Sequence, residues 1–300
     1  MFVRDPVDRA RARVLPAQSM TPPSSSVAER RATFRRLHTS GCFVIPNPWD
    51  AGTARYLTEL KFAALATTSA GMAFAAGLPD AKGAVPRDRM LAHIAEVVAA
   101  TPLPVNADFE AGYAADAEGV AQSVRLCVES GVAGLSIEDA TGDPQQPLFD
   151  LSDAVERMKA ARRAVDESHS GVVLTGRSEC FLVGHPGAMA ESIRRLTAYA
   201  EAGADVLYAP GVQTREQIET LVRALAPKPV NVLVSSNTGL TVTDLAELGV
   251  RRVSVGSGLA RVAWGAFMRA SREIAERGAF TAFADAATFR ELNTLFEAGR

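Results

Sequence analysis

The chain has 300 residues, 47% of them apolar, a formal net charge of −2 and a mean hydropathy of +0.05. That is ample material for a large core, at a length that an α/β barrel of about 250 residues can fill as one domain. Charge interrupts every long apolar stretch within about 18 residues, which argues against a transmembrane helix. The near-neutral balance favours neither nucleic acid nor an anionic membrane as a partner.

The first 28 residues stand apart. Met1 to Arg13 is arginine-rich and Met20 to Ser26 reads MTPPSSS. No apolar run of signal-peptide type is present, and Asp5 and Asp8 count against a transit peptide. Residues 1–28 are expected to be a disordered extension, and 29–300 a single domain. From Ala28 onward one rhythm repeats: a β-branched run, a polar or Gly-rich stretch, then an amphipathic Ala-rich segment. The runs are Cys42–Ile45, Ala63–Thr67, Pro104–Ala107, Gly134–Ile137, Val172–Thr175, Val206–Tyr208, Val230–Val234 and Arg252–Val255. Helical patterns fall between them at 87–100, 117–130, 152–168, 188–202, 215–225 and 243–248. Gly131, Gly203 and Gly249 each stand at the end of a helical pattern, where a left-handed cap is wanted. The runs are continuously apolar, as in parallel strands covered on both faces. Eight β–α repeats close most economically into a (β/α)8 TIM barrel. An open doubly wound sheet is the runner-up. It would need a Gly-rich turn after the first strand, where this chain reads Pro46-Asn-Pro-Trp-Asp50. Beyond Gly278 the polar tail carries Phe280, Phe283, Phe289, Leu292, Leu295 and Phe296. These predict packing on the barrel or on a neighbouring subunit. Cys42, Cys127 and Cys180 show no metal or redox spacing and fit a reducing cytoplasm.

A barrel of this kind presents its chemistry just after each strand. Asp108, Glu110, Glu138 and Asp139 would then converge on one rim. Crowded carboxylates repel one another and lose hydration. A hard cation relieves both, and magnesium suits the donors better than zinc, which prefers His or Cys. Lysine or arginine partners, or helix capping, would relieve them as well. Arg177 stands at the same rim, as a fork for a carboxylate or as an ion-pair partner of Glu179 or Glu138. The Ser69-Ala70-Gly71 turn offers backbone N–H groups to a carboxylate or oxyanion. His93 and His169 read as packing or surface residues, and His185 as a loop residue that could reach the site but more simply belongs to its own loop.

At this point the chain resembles the isocitrate lyase/phosphoenolpyruvate mutase superfamily. The resemblance runs from about Phe34 to Gly265. It rests on PNPWDAGTA, TTSAGMAFAAGLPDA, NADFEAGY, SIEDATGD, GRSE and the late glycine-rich strand, in order and at matching spacing. It implies a (β/α)8 barrel that binds magnesium, or manganese, and a small α-oxo acid or its enolate. It also implies a homotetramer in which the last helix is exchanged between subunits. By the same resemblance Asp108 and Glu138 are metal carboxylates, and Asn106 stands where the family has a further metal-binding aspartate. Thr67, Ser69, Ala70, Gly71, Asn106, Arg177 and Asn231 are implied to bind substrate. Asp80 is implied as a loop acid near it; with Glu110, read from its place at the rim, Arg177 and Asp80 form the expected catalytic set. The departures are specific. The lyases' Lys-(Lys/Arg)-Cys-Gly-His loop is replaced by Ala140–Phe149, which has no Cys, Lys or His. Strand six is followed by Ala209-Pro210 where relatives place His or Glu. Asn106 removes a negative charge that Glu110 is placed to restore.

The expected function is therefore a magnesium-dependent carbon–carbon bond lyase. It would act on a small α-hydroxy or α-keto carboxylic acid through the enolate of a pyruvate-like product, with 139–150 closing as a lid. The candidate bases are Glu110, Asp139 and a metal-bound water. Alternatives are an oxaloacetate-type hydrolase or decarboxylase, a phosphonomutase, and a keto-acid-binding protein without turnover. A phosphate-binding barrel using Gly256-Ser257-Gly258 is the remaining rival.

Overall fold

The computed structural model describes residues 25–81 and 83–297. Residues 1–24 of the expected extension lie outside the described residues. Ser26 caps helix α1 (Val27–Leu37) in a reciprocal box with Glu29, so the expected boundary after residue 28 falls inside a helix.

Eight parallel strands alternate with helices. They are β1 (Phe43–Ile45), β2 (Leu65–Ala66), β3 (Val105–Asp108), β4 (Gly134–Glu138), β5 (Val173–Arg177), β6 (Val206–Tyr208), β7 (Val230–Leu233) and β8 (Arg252–Ser254). The order β1-β8-β7-β6-β5-β4-β3-β2 is parallel throughout. At the seam the Ala66 N–H donates to the Pro46 carbonyl at 3.1 Å. Asn47 completes the closure. Its Nδ2 donates to the Thr67 carbonyl (2.8 Å), and its Oδ1 accepts from the N–H groups of Val255 (2.9 Å) and Gly256 (2.8 Å). One buried side chain thus ties the ends of β1, β2 and β8. This is the (β/α)8 barrel, not the open sheet.

The covering helices are α2 (Ala51–Glu59), α3 (Ser69–Ala75), α4 (Arg87–Ala99), α5 (Ala117–Glu129), α6 (Leu151–Glu167), α7 (Ala188–Glu201), α8 (Arg215–Leu225) and α9 (Val242–Glu247). The three glycines read as caps adopt φ of +88° (Gly131), +104° (Gly203) and +84° (Gly249). Outward strand residues such as Val105, Leu135, Leu174 and Val253 pack under the helices as the main core. Inward residues Phe43, Ile45, Ala64, Ala66, Val173 and Val206 form a second cluster around Phe34.

Phe34 comes from α1, which lies across the N-terminal mouth of the barrel. Arginines on α1 hold it there by donating to carbonyls at the helix ends and in the loops that precede the strands. Arg30 reaches Thr101, Arg31 reaches Val128 and Val132, and Arg35 reaches Gly171. A Cβ at Gly134 would lie 2.5 Å from the Phe34 ring, so glycine there is the condition for the plug to fit.

The last helices are α10 (Gly258–Arg277) and α11 (Phe289–Glu297), joined by a 3-10 turn at Thr281–Asp285 that Glu273 caps. Phe296 approaches α2 at Gly52, but Phe280, Phe283 and Phe289 are exposed. Among the described residues no helix is long and apolar enough to cross a membrane.

His38, the C-cap of α1, stacks edge-on against Phe34 and Phe43 at 4.8 and 5.0 Å. Burial and the nearby Arg252 pull its pKa from 6.5 to about 3. The unfolded chain therefore takes up this proton first as pH falls, and His38 withdraws stability between pH 6.5 and 3. From pH 7 to pH 5 the loss is about 1–2 kcal/mol. His38→Gln should flatten the fall in Tm over that interval, measured by calorimetry beside the wild type. Parallel Tm curves would refute the assignment.

Candidate active site

A cavity of about 240 Å³ opens at the C-terminal end of the barrel. That lies below the roughly 300–1,000 Å³ of pockets for drug-sized ligands and suits a small acid. Of the residues singled out by sequence, Thr67, Ser69, Ala70, Asp80, Asn106, Asp108, Arg177 and Asn231 line it.

Arg177 ends β5, and its guanidinium is the hub of the rim. Nη1 lies 3.1 Å from Asp108 Oδ1 and 3.1 Å from Glu138 Oε2, while Nε donates to Glu179. The convergence of Asp108 and Glu138 follows from the register. Asp108 pairs with Ser136 on β4, and Glu138 pairs directly with Arg177 on β5. The acids at this hub thus have the arginine partner that stood as the alternative to a metal. Three carboxylates still share one guanidinium. Burial pushes Glu138 well above its ordinary range, and Glu179 up as well, against the lowering effect of Arg177.

Crowding and burial thus disfavour the ionised forms, which a hard dication would favour, and the oxygen donors fit magnesium. Among the described residues no three His, Cys, Asp or Glu side chains form a ready-made metal cage. A cation held by Asp108 and Glu138 would complete its shell with water and substrate, as magnesium does and structural zinc does not.

Several expected roles change once the side chains are placed. Residues 69–75 are not a loop but helix α3, with Thr68 as N-cap. The Ser69 N–H and Oγ both donate to Asp108 Oδ2 at 2.9 Å, and the Asp108 N–H donates to Thr67 Oγ1 at 2.9 Å. Ser69 and Thr67 therefore aim Asp108 before any substrate arrives. Gly71 stands behind the wall, where a Cβ would sit 2.5 Å from Thr68 Cγ2. Asn106 lies one inward position deeper than Asp108. Its buried Oδ1 has no hydrogen-bond donor.

Asp139 is no rim acid. It is buried and accepts from the Glu179 N–H (2.8 Å), Arg195 Nη1 (3.2 Å) and the Tyr199 hydroxyl (2.6 Å). That set leaves it no role as a base. Glu110 does not line the cavity. It opens into a different cleft with Val85 and Tyr113, at φ +44°. Burial, with Asp108 and Asp80 nearby, pushes it up to about 7 despite a 2.7 Å hydrogen bond from the Tyr113 hydroxyl. Asp80, on the loop after α3, is also raised, by partial burial and by Asp108.

The expected lid at 139–150 is tied to itself. Ala140 and Leu148 form an antiparallel bridge, and the Phe149 N–H donates to the Asp139 carbonyl at 2.9 Å. No residue of this segment lines the cavity, whereas Leu182 from the β5–α7 loop does. His93 is buried in α4 as expected. His185 accepts from the Gly187 N–H of its own loop and does not line the cavity.

Sequence reading missed Tyr208, Arg252, Ser254 and Ser136, which also line the cavity. Period-two alternation was the available signal: Arg252 and Ser254 share the inward face of β8 with nothing between them but outward Val253.

Comparison with known proteins agrees with this geometry. Residues 34–275 match the family described as phosphoenolpyruvate phosphomutase. A solved chain from Burkholderia cenocepacia J2315, provisionally assigned as a lyase/mutase, is 47% identical with a TM-score of 0.86. The match covers 90% of this chain and 97% of that one. An oxaloacetate decarboxylase from Pseudomonas putida (strain GB-1) is 30% identical over 78% of this chain and 81% of its own. The structure of an oxaloacetate acetylhydrolase with the product oxalate superposes with a TM-score of 0.80 at 25% identity, covering 92% and 95% of the two chains. Family match, barrel and rim together identify the chain as a member of the phosphoenolpyruvate mutase/isocitrate lyase superfamily, and an enzyme of that type.

Proposed function

We propose that the protein cleaves a carbon–carbon bond in a small 2-oxo or 2-hydroxy carboxylic acid, through the enolate of a pyruvate-like product. The observation that carries this reading is the Arg177 guanidinium fixed between Asp108, Glu138 and Glu179 at a small cavity. Asp108 and Glu138 would hold magnesium, or manganese, which supplies Lewis-acid polarisation of the 2-oxo oxygen when bound. The residues of the chain do the rest. Ser69 and Thr67 fix Asp108 in advance, so no reorganisation is needed as charge develops. Arg177 Nη2 takes no part in the three ion pairs and remains for the substrate carboxylate or the enolate oxygen. Glu110, brought to about 7, is matched to proton transfer near neutral pH, with Tyr113 orienting it.

A four-carbon acid fits a cavity of this size. Cleavage of an oxaloacetate-like acid by decarboxylation or hydrolysis is therefore the second reading in the same pocket, in keeping with the two relatives named for oxaloacetate chemistry. The free thiols Cys42, Cys127 and Cys180 fit a reducing, cytoplasmic setting. Assembly is part of the proposal. Val262, Phe267 and Met268 on α10 are 69%, 60% and 51% exposed, and Phe289 on α11 is 90% exposed. An apolar face of that extent belongs against other subunits, in a homotetramer with the C-terminal helix exchanged.

A panel of oxaloacetate, alkylmalates, isocitrate, 2-methylisocitrate and phosphonopyruvate, with magnesium and with chelator, tests the reaction. One acid should turn over and chelator should abolish it. Binding without turnover of any acid would point instead to a binding protein. Asp108→Ala should lower turnover at least about 100-fold and remove stabilisation by magnesium in thermal melts. Unchanged values in both would defeat the metal assignment. Light scattering on the full chain should return a tetramer, and deletion of 279–300 a smaller species. A monomeric full chain would overturn the assembly.

A further inference from the structure

Arg177 is the arginine that sequence reading singles out, yet its charge is already claimed by three carboxylates. A second arginine lies deeper, with none. Arg252 projects inward from β8 and is 2% exposed. Its Nε donates to Asn231 Oδ1 (2.9 Å) and its Nη2 to Thr175 Oγ1 (3.0 Å), while its Nη1 lies 3.3 Å from His38 Nε2. All three partners are neutral. Burial and Arg252 itself keep His38 neutral, and its Nδ1 lies 2.8 Å from the Phe34 carbonyl, which can only accept. Nδ1 therefore carries the proton and Nε2 presents a lone pair to Arg252.

A guanidinium carries five N–H donors. Three are matched here, and two have no acceptor among the described residues. The Arg252 guanidinium has His38 and Tyr208 as ionisable neighbours and no carboxylate partner among the described residues. Burial pulls its pKa down to about 9, which still leaves it cationic at neutral pH. A buried cation without a counter-ion is costly. Arg195 shows the usual remedy in this same protein, pairing with Asp139 and Glu191. Arg252 differs in lining the cavity floor. A second group beside the same cavity is also unmatched: Asn106 Oδ1, 4% exposed by residue and without a donor.

We propose that Arg252 binds a second anionic group of the substrate, a carboxylate remote from the reacting 2-oxo acid end, and so selects dicarboxylates over monocarboxylates. Asn231 and Thr175 hold the guanidinium in place, and Asn106 accepts from a hydroxyl of the ligand where one is present. The inference rests on the acid-cleaving reading above, but it concerns binding and is tested by binding.

Dissociation constants for oxaloacetate, its 4-carboxamide and pyruvate would be measured by calorimetry with the magnesium-loaded wild type and with Arg252→Met. The wild type should prefer oxaloacetate over the carboxamide by about 10- to 100-fold, the range of one charge-assisted contact. Arg252→Met should remove that preference while pyruvate affinity stays within about threefold. Equal binding of oxaloacetate and the carboxamide by the wild type would overturn the proposal, whether or not the variant folds. A preference that survives in Arg252→Met would overturn it too. Failure of the acid-cleaving reading is seen separately, as absence of turnover, and leaves these affinity ratios meaningful.

Discussion

A closed eight-stranded barrel has an interior that its own side chains must fill, and every strand contributes alternate residues to it. That constraint organises the whole molecule. At the N-terminal end the fill is apolar: Phe34, brought in by α1, meets Phe43, Ala64, Val173 and Val206. Above it the fill turns polar, with Thr175, Asn231 and Arg252, and at the C-terminal end it becomes ionic, with Asp108, Glu138 and Arg177. The gradient is possible because the apolar plug closes one mouth to water. The other mouth then remains the place where a ligand can enter. The outward residues carry the stability. They bury continuous apolar surface beneath the helices and leave the interior free to be polar.

Charge is distributed unevenly along that interior. The rim holds three carboxyl groups around one guanidinium, an oxygen-rich setting of the kind that suits a hard cation. The floor holds a guanidinium without a carboxylate. A cavity with carboxyl groups at the top and a guanidinium at the bottom orients a ligand. On the proposed function, a cation and the 2-oxo acid end would lie at the rim and a remote anion at the floor. Alignment of charges in a desolvated site is worth more than the same alignment in water, because the effective dielectric is lower.

The departures from the superfamily pattern have structural counterparts. The 139–150 segment lacks the Cys-containing loop of the lyases, and in place of a flap it is cross-tied by backbone hydrogen bonds. Asp139 at its base is locked to Arg195 and Tyr199, which joins the segment to α7. Whatever acid–base chemistry occurs is left to groups on the other side of the pocket. There Glu110 sits at a left-handed backbone position with a hydroxyl on its carboxylate. Strain of that kind holds only where the surroundings determine it, and the β3–α5 loop is pinned by Arg157 to the carbonyls of Ala111 and Ala114.

The sequence by itself determined the eight strands, most of the helices, the capping glycines and the rim on which the chemistry sits. These depend on periodicity and on turn residues, which act over a few neighbours. It also marked Asp108, Glu138 and Arg177, because residues at the ends of parallel strands must face the open mouth of a barrel. It did not decide which acids meet which arginine. Asp139 and Glu138 are adjacent in the chain but point to opposite faces of the strand. One is therefore sealed beneath α7 and the other lines the rim. Nor did it single out Arg252, whose isolation appears only when residues 38, 175 and 231 are brought around it. Those contacts span up to 214 positions along the chain and follow from the stagger of a closed sheet. Only the tertiary structure decided them, because the balance of a buried charge depends on everything within a few ångströms and on nothing in its local sequence.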